Sequence, residues 1–187
     1  GGAFYQLQEE MRGAFECTVI DLPRAMLIQH PHLIADVQVA VVVTEFTLAA
    51  ARDTIRVLSW FKSNAPQTQV IVLANRVHPA AQLEISRKDF EGSIERKVDH
   101  VVPFDQKLTA NAAKLGKTVA DAGKGSKTIV PLVTLSQQLA EIGDNADPDQ
   151  KAAKGKKGGA KPGDGAASLL GKIVAFKPKM PGKAARK

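Results

Sequence analysis

Apolar residues in the first 150 positions fall into two alternating kinds of pattern. Short β-branched or aliphatic runs predict four strands buried in a sheet, at 16–21, 37–43, 69–74 and 100–103. Apolar positions with helical spacing predict helices at 3–14, 48–63, 86–97, 106–122 and 128–142. Strands that alternate with helices predict βαβ units with right-handed crossovers. The pattern therefore predicts the α/β class, with a parallel sheet.

Composition agrees with this class. Aliphatic residues dominate the apolar fraction, since 44% of residues are hydrophobic and only 5% are aromatic. The length of 187 residues suits about one domain. The single cysteine, Cys17, excludes a disulfide within the chain and is expected to be a small buried residue of the first strand. No apolar run is long enough to span a membrane. The chain begins Gly-Gly-Ala without Met, so we expect a fragment whose upstream part is missing.

Charge is divided between two segments. Residues 151–187 hold 11 Lys or Arg residues and one acid, whereas the first 150 residues carry a net charge of −3. The basic segment is rich in Gly, Lys, Ala and Pro and has no apolar pattern over most of its length, so we expect it to be disordered. The predicted organisation is a folded domain over 1–142 and a basic tail over 143–187.

The tail contains one short amphipathic stretch, at 168–176. Its apolar residues share one helical face and are flanked by lysines, which suits an anionic membrane surface or the groove of a partner protein. A solvated, disordered tail is the simpler interpretation. Binding to nucleic acid is a third, as for any polybasic arm.

Polar side chains follow the predicted strands at the points where ligands bind in parallel sheets, outside the carboxyl ends. Asp21 ends the first strand and could hold a phosphate-bound Mg²⁺. Asn75 could bond the edge of a nucleotide base, and Arg76 and the Pro103 loop could sandwich its faces. The alternative is that Asp21, Asn75 and Asp105 cap turns.

Two further features are set aside. Residues 122–128, Ala-Gly-Lys-Gly-Ser-Lys-Thr, superficially suggest a phosphate-binding loop, but the spacing GxxxxGK[ST] is not met and a helix precedes them, so we interpret them as a helix cap and connector. The histidines have no metal-site spacing, which favours surface positions for all four: His30, His32, His78 and His100.

Several segments taken in order resemble the MinD/ParA-type ATPases, and most closely the pilus-assembly group known as TadZ or CpaE. The segments are 18–24 (Thr-Val-Ile-Asp-Leu-Pro-Arg), 41–53 (Val-Val-Val-Thr-Glu-Phe-Thr-Leu-Ala-Ala-Ala-Arg-Asp), 73–77 (Leu-Ala-Asn-Arg-Val), 85–91 (Ile-Ser-Arg-Lys-Asp-Phe-Glu) and 102–105 (Val-Pro-Phe-Asp). The resemblance covers roughly residues 1–142, the back half of that group's ATPase domain. It implies a partial doubly wound parallel sheet that lacks its phosphate-loop strand, whose place is between the strands at 16–21 and 37–43.

The resemblance also implies roles for individual residues. Asp21 matches the acid of the switch II strand, near Mg²⁺ and the attacking water. Asn75 and Arg76 match the adenine-side Asn-Arg pair, and Pro103, Phe104 and Asp105 match the loop that borders the base. Arg24-Ala25-Met26 stands where family members have a glycine that meets the γ-phosphate. Because the phosphate-loop lysines are absent too, this chain is not expected to hydrolyse ATP.

Two classes of function follow from the resemblance. One is a nucleotide-binding protein that localises Flp (tight-adherence) pilus or type II secretion-like machinery, binding ATP and Mg²⁺ in the intact parent and weakly or not at all as this fragment. Such a parent would be a cytoplasmic homodimer, contacting machinery proteins at the inner membrane or a cell pole. The alternatives are a ParA-type partitioning ATPase that binds DNA and a non-catalytic interaction scaffold.

Overall fold

The structure, a computed structural model, describes residues 2–15, 17–34 and 36–146. The chain divides into two units, Gly1–Gly143 and Asp144–Lys187, and the sheet lies in the first. The strands are β1 (Val39–Thr44), β2 (Gln69–Val77) and β3 (His100–Pro103). The helices are α1 (Gly2–Ala14), α2 (Arg24–Gln29), α3 (Leu48–Asn64), α4 (Arg87–Ser93), α5 (Gln106–Leu115), α6 (Val119–Ala122) and α7 (Val130–Ala146). Single 3₁₀ turns lie at Pro31–Ile34, Ala80–Gln82 and Lys127–Ile129.

The three strands form one parallel sheet in the order β1-β2-β3, with helices between them. β1 pairs with β2 from Val39 opposite Gln69 to Thr44 opposite Ala74. β2 pairs with β3 from Leu73 opposite His100, with an irregularity between Ala74 and Val77. The prediction of an α/β fold with a parallel sheet is therefore confirmed.

One face of the sheet packs against α3 and α4. Because strand side chains alternate, Val72 and Ala74 share this face and are fully buried with Phe90 of α4. A buried hydroxyl pair, Thr44 with Thr54 at 2.9 Å between the oxygens, joins β1 to α3 on the same side. This face holds the better-covered part of the core.

The opposite face is covered unevenly. His100 of β3 is 9% exposed and its Nε2 lies 2.7 Å from Oε1 of Gln138 on α7. Leu73, its neighbour on β2, is 5% exposed, but Val43, next in the same row on β1, is 62% exposed. The cover therefore does not extend to Val43, and the outer edge of β1 carries no strand among the described residues.

Local sequence signals set most helix boundaries. The side chains of Thr47, Ser86 and Asp105 each accept a hydrogen bond from a backbone N–H in the first turn of α3, α4 and α5 respectively. Gly116 ends α5 in the left-handed conformation (φ 58°), where the absence of a Cβ avoids strain. The predicted strands at 37–43, 69–74 and 100–103 and the predicted helix at 48–63 are confirmed, and none of their ends shifts by more than three residues.

The prediction of a strand at 16–21 is wrong. Residues 17–23 carry no regular secondary structure, Val19 is 83% exposed, and Cys17 is exposed rather than buried. A β-branched run forms a strand only where a neighbouring strand accepts its backbone hydrogen bonds, and within the described part of the chain none does so. Leu22, within this segment, packs against the buried cluster of Leu27, Ile34, Phe61 and Ala65.

Three smaller expectations also need correction. The predicted helix 106–122 is two helices, because Gly116 interrupts it. The predicted helix 86–97 ends at Ser93, followed closely by Glu95 at φ 53°. His100 is buried and not on the surface, since it begins β3 on the face that α7 covers. The predictions for the tail from 147 onward lie outside the described residues.

Candidate functional site

The carboxyl ends of the three strands lie at one edge of the sheet, as parallel pairing requires. Glu45 follows β1, Asn75 and Arg76 lie near the end of β2, and Phe104 follows β3. These side chains come from three separate chain segments, and the sheet register alone places those segments side by side.

The end of β2 contains a backbone irregularity at the predicted site residues. Ala74 pairs with Val101, but the next pairing joins Val77 to Pro103, so Asn75 and Arg76 bulge from the ladder. Asn75 Oδ1 accepts a hydrogen bond from the Arg76 N–H at 2.9 Å. Arg76 has a φ of 55°, a conformation that costs a residue with a Cβ about 1–2 kcal/mol. The strand therefore does not end before Asn75, as the sequence suggested, but continues beyond a strained bulge.

Phe104 is the centre of the site. Its backbone N–H donates to the Val77 carbonyl oxygen at 2.9 Å, which fixes the ring beside the end of β2. The His78 ring lies 4.3 Å from the Phe104 ring, centroid to centroid, with 30° between their planes. The guanidinium carbon of Arg76 lies 6.0 Å from the Phe104 centroid, within the range of a cation–π contact.

Glu45 ties this cluster to β1. Its Oε1 lies 3.6 Å from a guanidinium nitrogen of Arg76, and the two side chains are 48% and 63% exposed. An ion pair this exposed contributes at most about 1 kcal/mol. The guanidinium is therefore held in place loosely, and a ligand could displace Glu45 at little cost.

Asp105 points into the protein and not into this cluster. Its Oδ1 accepts from the Leu108 N–H at 2.9 Å, and its Oδ2 accepts from the Thr128 hydroxyl at 3.1 Å. Both carboxylate oxygens thus accept hydrogen bonds from within the protein, as expected if Asp105 caps a turn instead of binding a nucleotide. The contact also shows that the connector 122–128 lies against the loop after β3, a proximity that its sequence did not reveal.

Asp21 makes no contact with this cluster among the described residues. It is exposed on the irregular segment 17–23, and within that described part of the chain no hydrogen bond or ion pair joins it to Asn75, Arg76, Phe104 or Asp105. Pro103 is exposed and pairs with Val77, so it borders the bulge directly. Of the six predicted site residues, Asn75, Arg76, Pro103 and Phe104 lie together. With Glu45 and His78 they form a group that we call the Phe104 cluster.

Two residues of this cluster were missed from the sequence. Glu45 could have been found because it directly follows a buried strand, as Asp21 was expected to do. His78 directly follows β2, which the sequence predicted to end at residue 74, so a single histidine in a presumed loop gave no such signal.

The described residues contain neither a group of side chains suited to a metal ion nor a helix suited to cross a membrane. In the part of the chain that the structure describes, no three or more His, Cys, Asp or Glu side chains are grouped so as to hold a metal ion. Among these same residues, no helix combines the length and the apolar character that crossing a membrane demands.

Comparisons with known proteins give little beyond this geometry. No protein-family model matches the sequence, and no curated protein matches it significantly. Among solved structures, the chain is similar to a ParA family ATPase from Chlorobium tepidum TLS, with 20% identity and a TM-score of 0.47. The likeness covers 55% of this chain and 41% of that one, so the chain spans less than half the length of its structural neighbour. At this identity and score the likeness does not identify a function.

Proposed function

We propose that residues 1–142 are part of a MinD/ParA-like nucleotide-binding domain and that the Phe104 cluster receives the base of an adenine nucleotide. The observation that supports this most is the meeting of an amide, a guanidinium and an aromatic ring at the carboxyl edge of a parallel sheet. That edge is where open α/β sheets bind their ligands. The resemblance of the segments around Asn75 and Phe104 to the adenine side of this family leads to the same proposal.

The chemistry of these side chains suits adenine. The Asn75 amide has both a donor and an acceptor, which matches the adjacent amino and ring-nitrogen groups of that base. The guanidinium of Arg76 and the ring of Phe104 offer flat surfaces on which a base can stack. Mg²⁺ would be held by Asp21 only together with phosphate oxygens and water, because the described residues contain no group of three or more His, Cys, Asp or Glu side chains that could hold a metal ion.

The outer edge of β1 is the proposed place for the strand that carries the phosphate loop. β1 has the sequence Val-Ala-Val-Val-Val-Thr, without the charge or proline that blunts a natural edge strand. Its Val43 side chain is 62% exposed, although strands of parallel sheets are normally buried on both faces. A strand added here would cover that side chain and bring phosphate-binding backbone N–H groups to the edge that holds Asn75 and Phe104.

At the level of the whole protein, we propose a localisation factor of Flp-pilus or type II secretion-like machinery that acts as a cytoplasmic homodimer near the membrane or a cell pole. This rests on the TadZ/CpaE-like segments and not on the geometry. A DNA-partitioning ATPase and a non-catalytic scaffold are the competing functions.

Nucleotide preference in the intact parent protein tests the proposal. The measurement is the ratio of ATP to GTP affinity, by competition against a fluorescent adenine nucleotide, for the wild type and Asn75→Ala. Asn75 is expected to supply about 1–3 kcal/mol of discrimination, so the ratio should fall about 5- to 150-fold. The overall affinity should fall less, because phosphate contacts are unchanged.

Asn64→Ala is the matched control. Asn64 ends α3 at the opposite edge of the sheet, where its side chain donates to the Trp60 carbonyl. It should leave the ratio unchanged. An unchanged ratio in Asn75→Ala would remove the base from this cluster, and a parent that binds neither nucleotide would favour the scaffold.

A further inference from the structure

Lysine is concentrated in one stretch of the folded unit, residues 106–129, which we call the lysine segment. It comprises α5, α6 and the 3₁₀ turn before α7. The segment contains five lysines, no arginine and one acid, whereas the first 150 residues as a whole have a net charge of −3. The positive charge of the folded unit is therefore local.

Packing gathers these lysines on one part of the surface. Lys107 and Lys114 are seven residues apart on α5 and therefore share a helical stripe, and both are exposed. A Cβ on Gly123 would lie 2.8 Å from a methyl of Leu108 and 2.6 Å from Ile129, so the end of α6 and the 3₁₀ turn touch the first turn of α5.

The lysines next to that contact, Lys124 and Lys127, are exposed. Lys124 lies 3.5 Å from Asp121, and Lys117 is close enough to act on the same carboxylate. The Thr118 hydroxyl, and then Lys124 and Lys117, lower the pKa of Asp121, which therefore remains charged and offsets a single lysine.

Basic residues elsewhere in the described unit are largely neutralised by acids. Arg24 pairs with Asp53, Arg96 pairs with Asp99, and Arg87 and Lys97 share Glu91. In the lysine segment only Lys124 has such a partner among the described residues. The remaining charges are therefore available to an external anion.

Two properties of the surface favour an anionic lipid leaflet over nucleic acid. Lysine acts as a point charge, which suits a fluid layer of headgroups, whereas nucleic-acid recognition favours the bidentate fork of arginine. Leu115 and Val130, which flank the lysines in the chain, are 54% and 57% exposed. Apolar side chains beside lysines are typical of helices that lie on a membrane and have no role against a phosphate backbone.

We propose that the lysine segment is a docking surface for an anionic membrane. Each lysine close to such a leaflet contributes about 1 kcal/mol, so several acting together give binding that is reversible and sensitive to salt. The proposal does not depend on nucleotide binding at the Phe104 cluster.

Co-sedimentation of the full chain with phosphatidylglycerol-containing vesicles tests it, with pure phosphatidylcholine vesicles as the neutral arm. The variant is Lys107→Gln/Lys114→Gln/Lys117→Gln, which keeps good helix formers at the two positions in α5. At about 0.01 M salt its partition onto anionic vesicles should fall at least roughly tenfold, with a smaller difference at about 0.1 M, where the Debye length shortens from about 30 to 10 Å.

The matched control is Arg52→Gln/Lys62→Gln/Lys88→Gln, which removes the same charge from other exposed positions and leaves the chain beyond residue 146 unchanged. It should lose less than about twofold, well below the per-lysine contribution expected at the leaflet. Circular dichroism of both variants should match that of the wild type, which checks that they are folded.

Three outcomes would overturn the proposal. The two variants could lose equal affinity, which would assign binding to total charge. The wild type could ignore lipid charge or fail to bind. The lysine variant could lose binding to duplex DNA and none to vesicles, which would make the surface a nucleic-acid site.

Discussion

Replacing Glu91 by Gln should destabilise the fold in a manner that depends on pH. The Glu91 side chain on α4 is 8% exposed and accepts three hydrogen bonds. Oε1 accepts from Arg87 Nε at 2.8 Å and from the Val98 N–H at 3.1 Å, and Oε2 accepts from Lys97 Nζ at 2.8 Å. The carboxylate thus holds the turn between α4 and β3, which delivers β3 to the sheet.

The size of the effect follows from the pKa of this carboxyl. Hydrogen bonds from Lys97 and Arg87, then from Val98, lower the pKa of Glu91 from 4.5 to about 2, against the opposing effect of burial. At about 1.4 kcal/mol per pKa unit this corresponds to about 3 kcal/mol as an upper limit. The side chains of Arg87 and Lys97 are 52% and 86% exposed, so solvent screening reduces the expected loss to about 1–2 kcal/mol.

The sign of the pH dependence is set by the lowered pKa. The folded state binds its proton less readily than the unfolded state, so the contribution of Glu91 is fully present well above pH 4.5 and is lost as pH falls from there towards about 2. Glu91→Gln should therefore cost its full amount near neutral pH. At about pH 3 the wild type has itself lost part of this stability, so the difference should shrink.

Urea unfolding, monitored by the fluorescence of the single tryptophan, Trp60, measures the free energy of unfolding near neutral pH and at about pH 3. The control is Glu95→Gln, an exposed acid in the same turn, which should change the free energy of unfolding by less than about 0.5 kcal/mol. Equal destabilisation by Glu91→Gln at neutral and acid pH would refute the reasoning, because it would assign the loss to packing and not to charge.

Two further predictions concern backbone and packing. Arg76→Gly should raise the free energy of unfolding, measured in urea, by up to about 1 kcal/mol, since it relieves the strain of a φ of 55°. It should also lower the affinity of the intact parent for adenine nucleotides. A loss of stability would show that the contacts of the guanidinium outweigh the strain. Gly123→Ala should cost about 1–3 kcal/mol in the same assay, because its Cβ would lie 2.6 Å from Ile129 and 2.8 Å from Leu108. Gly92→Ala, with open space around its Cβ in α4, should instead be neutral or stabilising, and a loss comparable to that of Gly123→Ala would contradict the packing explanation.

The candidate site was partly predictable from the sequence. Asn75, Arg76 and Phe104 could be placed together because each follows an apolar run, and parallel strands bring their carboxyl ends to one edge. The bulge at Asn75 could not be foreseen, because it arises from the register between β2 and β3. For the same reason His78, which reaches Phe104 only because β2 resumes after the bulge, was taken for an isolated surface residue.

By itself, the sequence determined the local features of this protein. Periodicity set β1, β2, β3 and α3, and capping side chains set the helix starts, because these depend on contacts within a few residues. Only the tertiary structure decided which apolar runs became strands, which polar residues faced the site and how the lysines gathered. The irregular course of 17–23 and the inward turn of Asp105 depend on partners distant in the chain. A backbone or carboxylate takes the hydrogen bonds that its surroundings offer, and packing, not local propensity, supplies those surroundings.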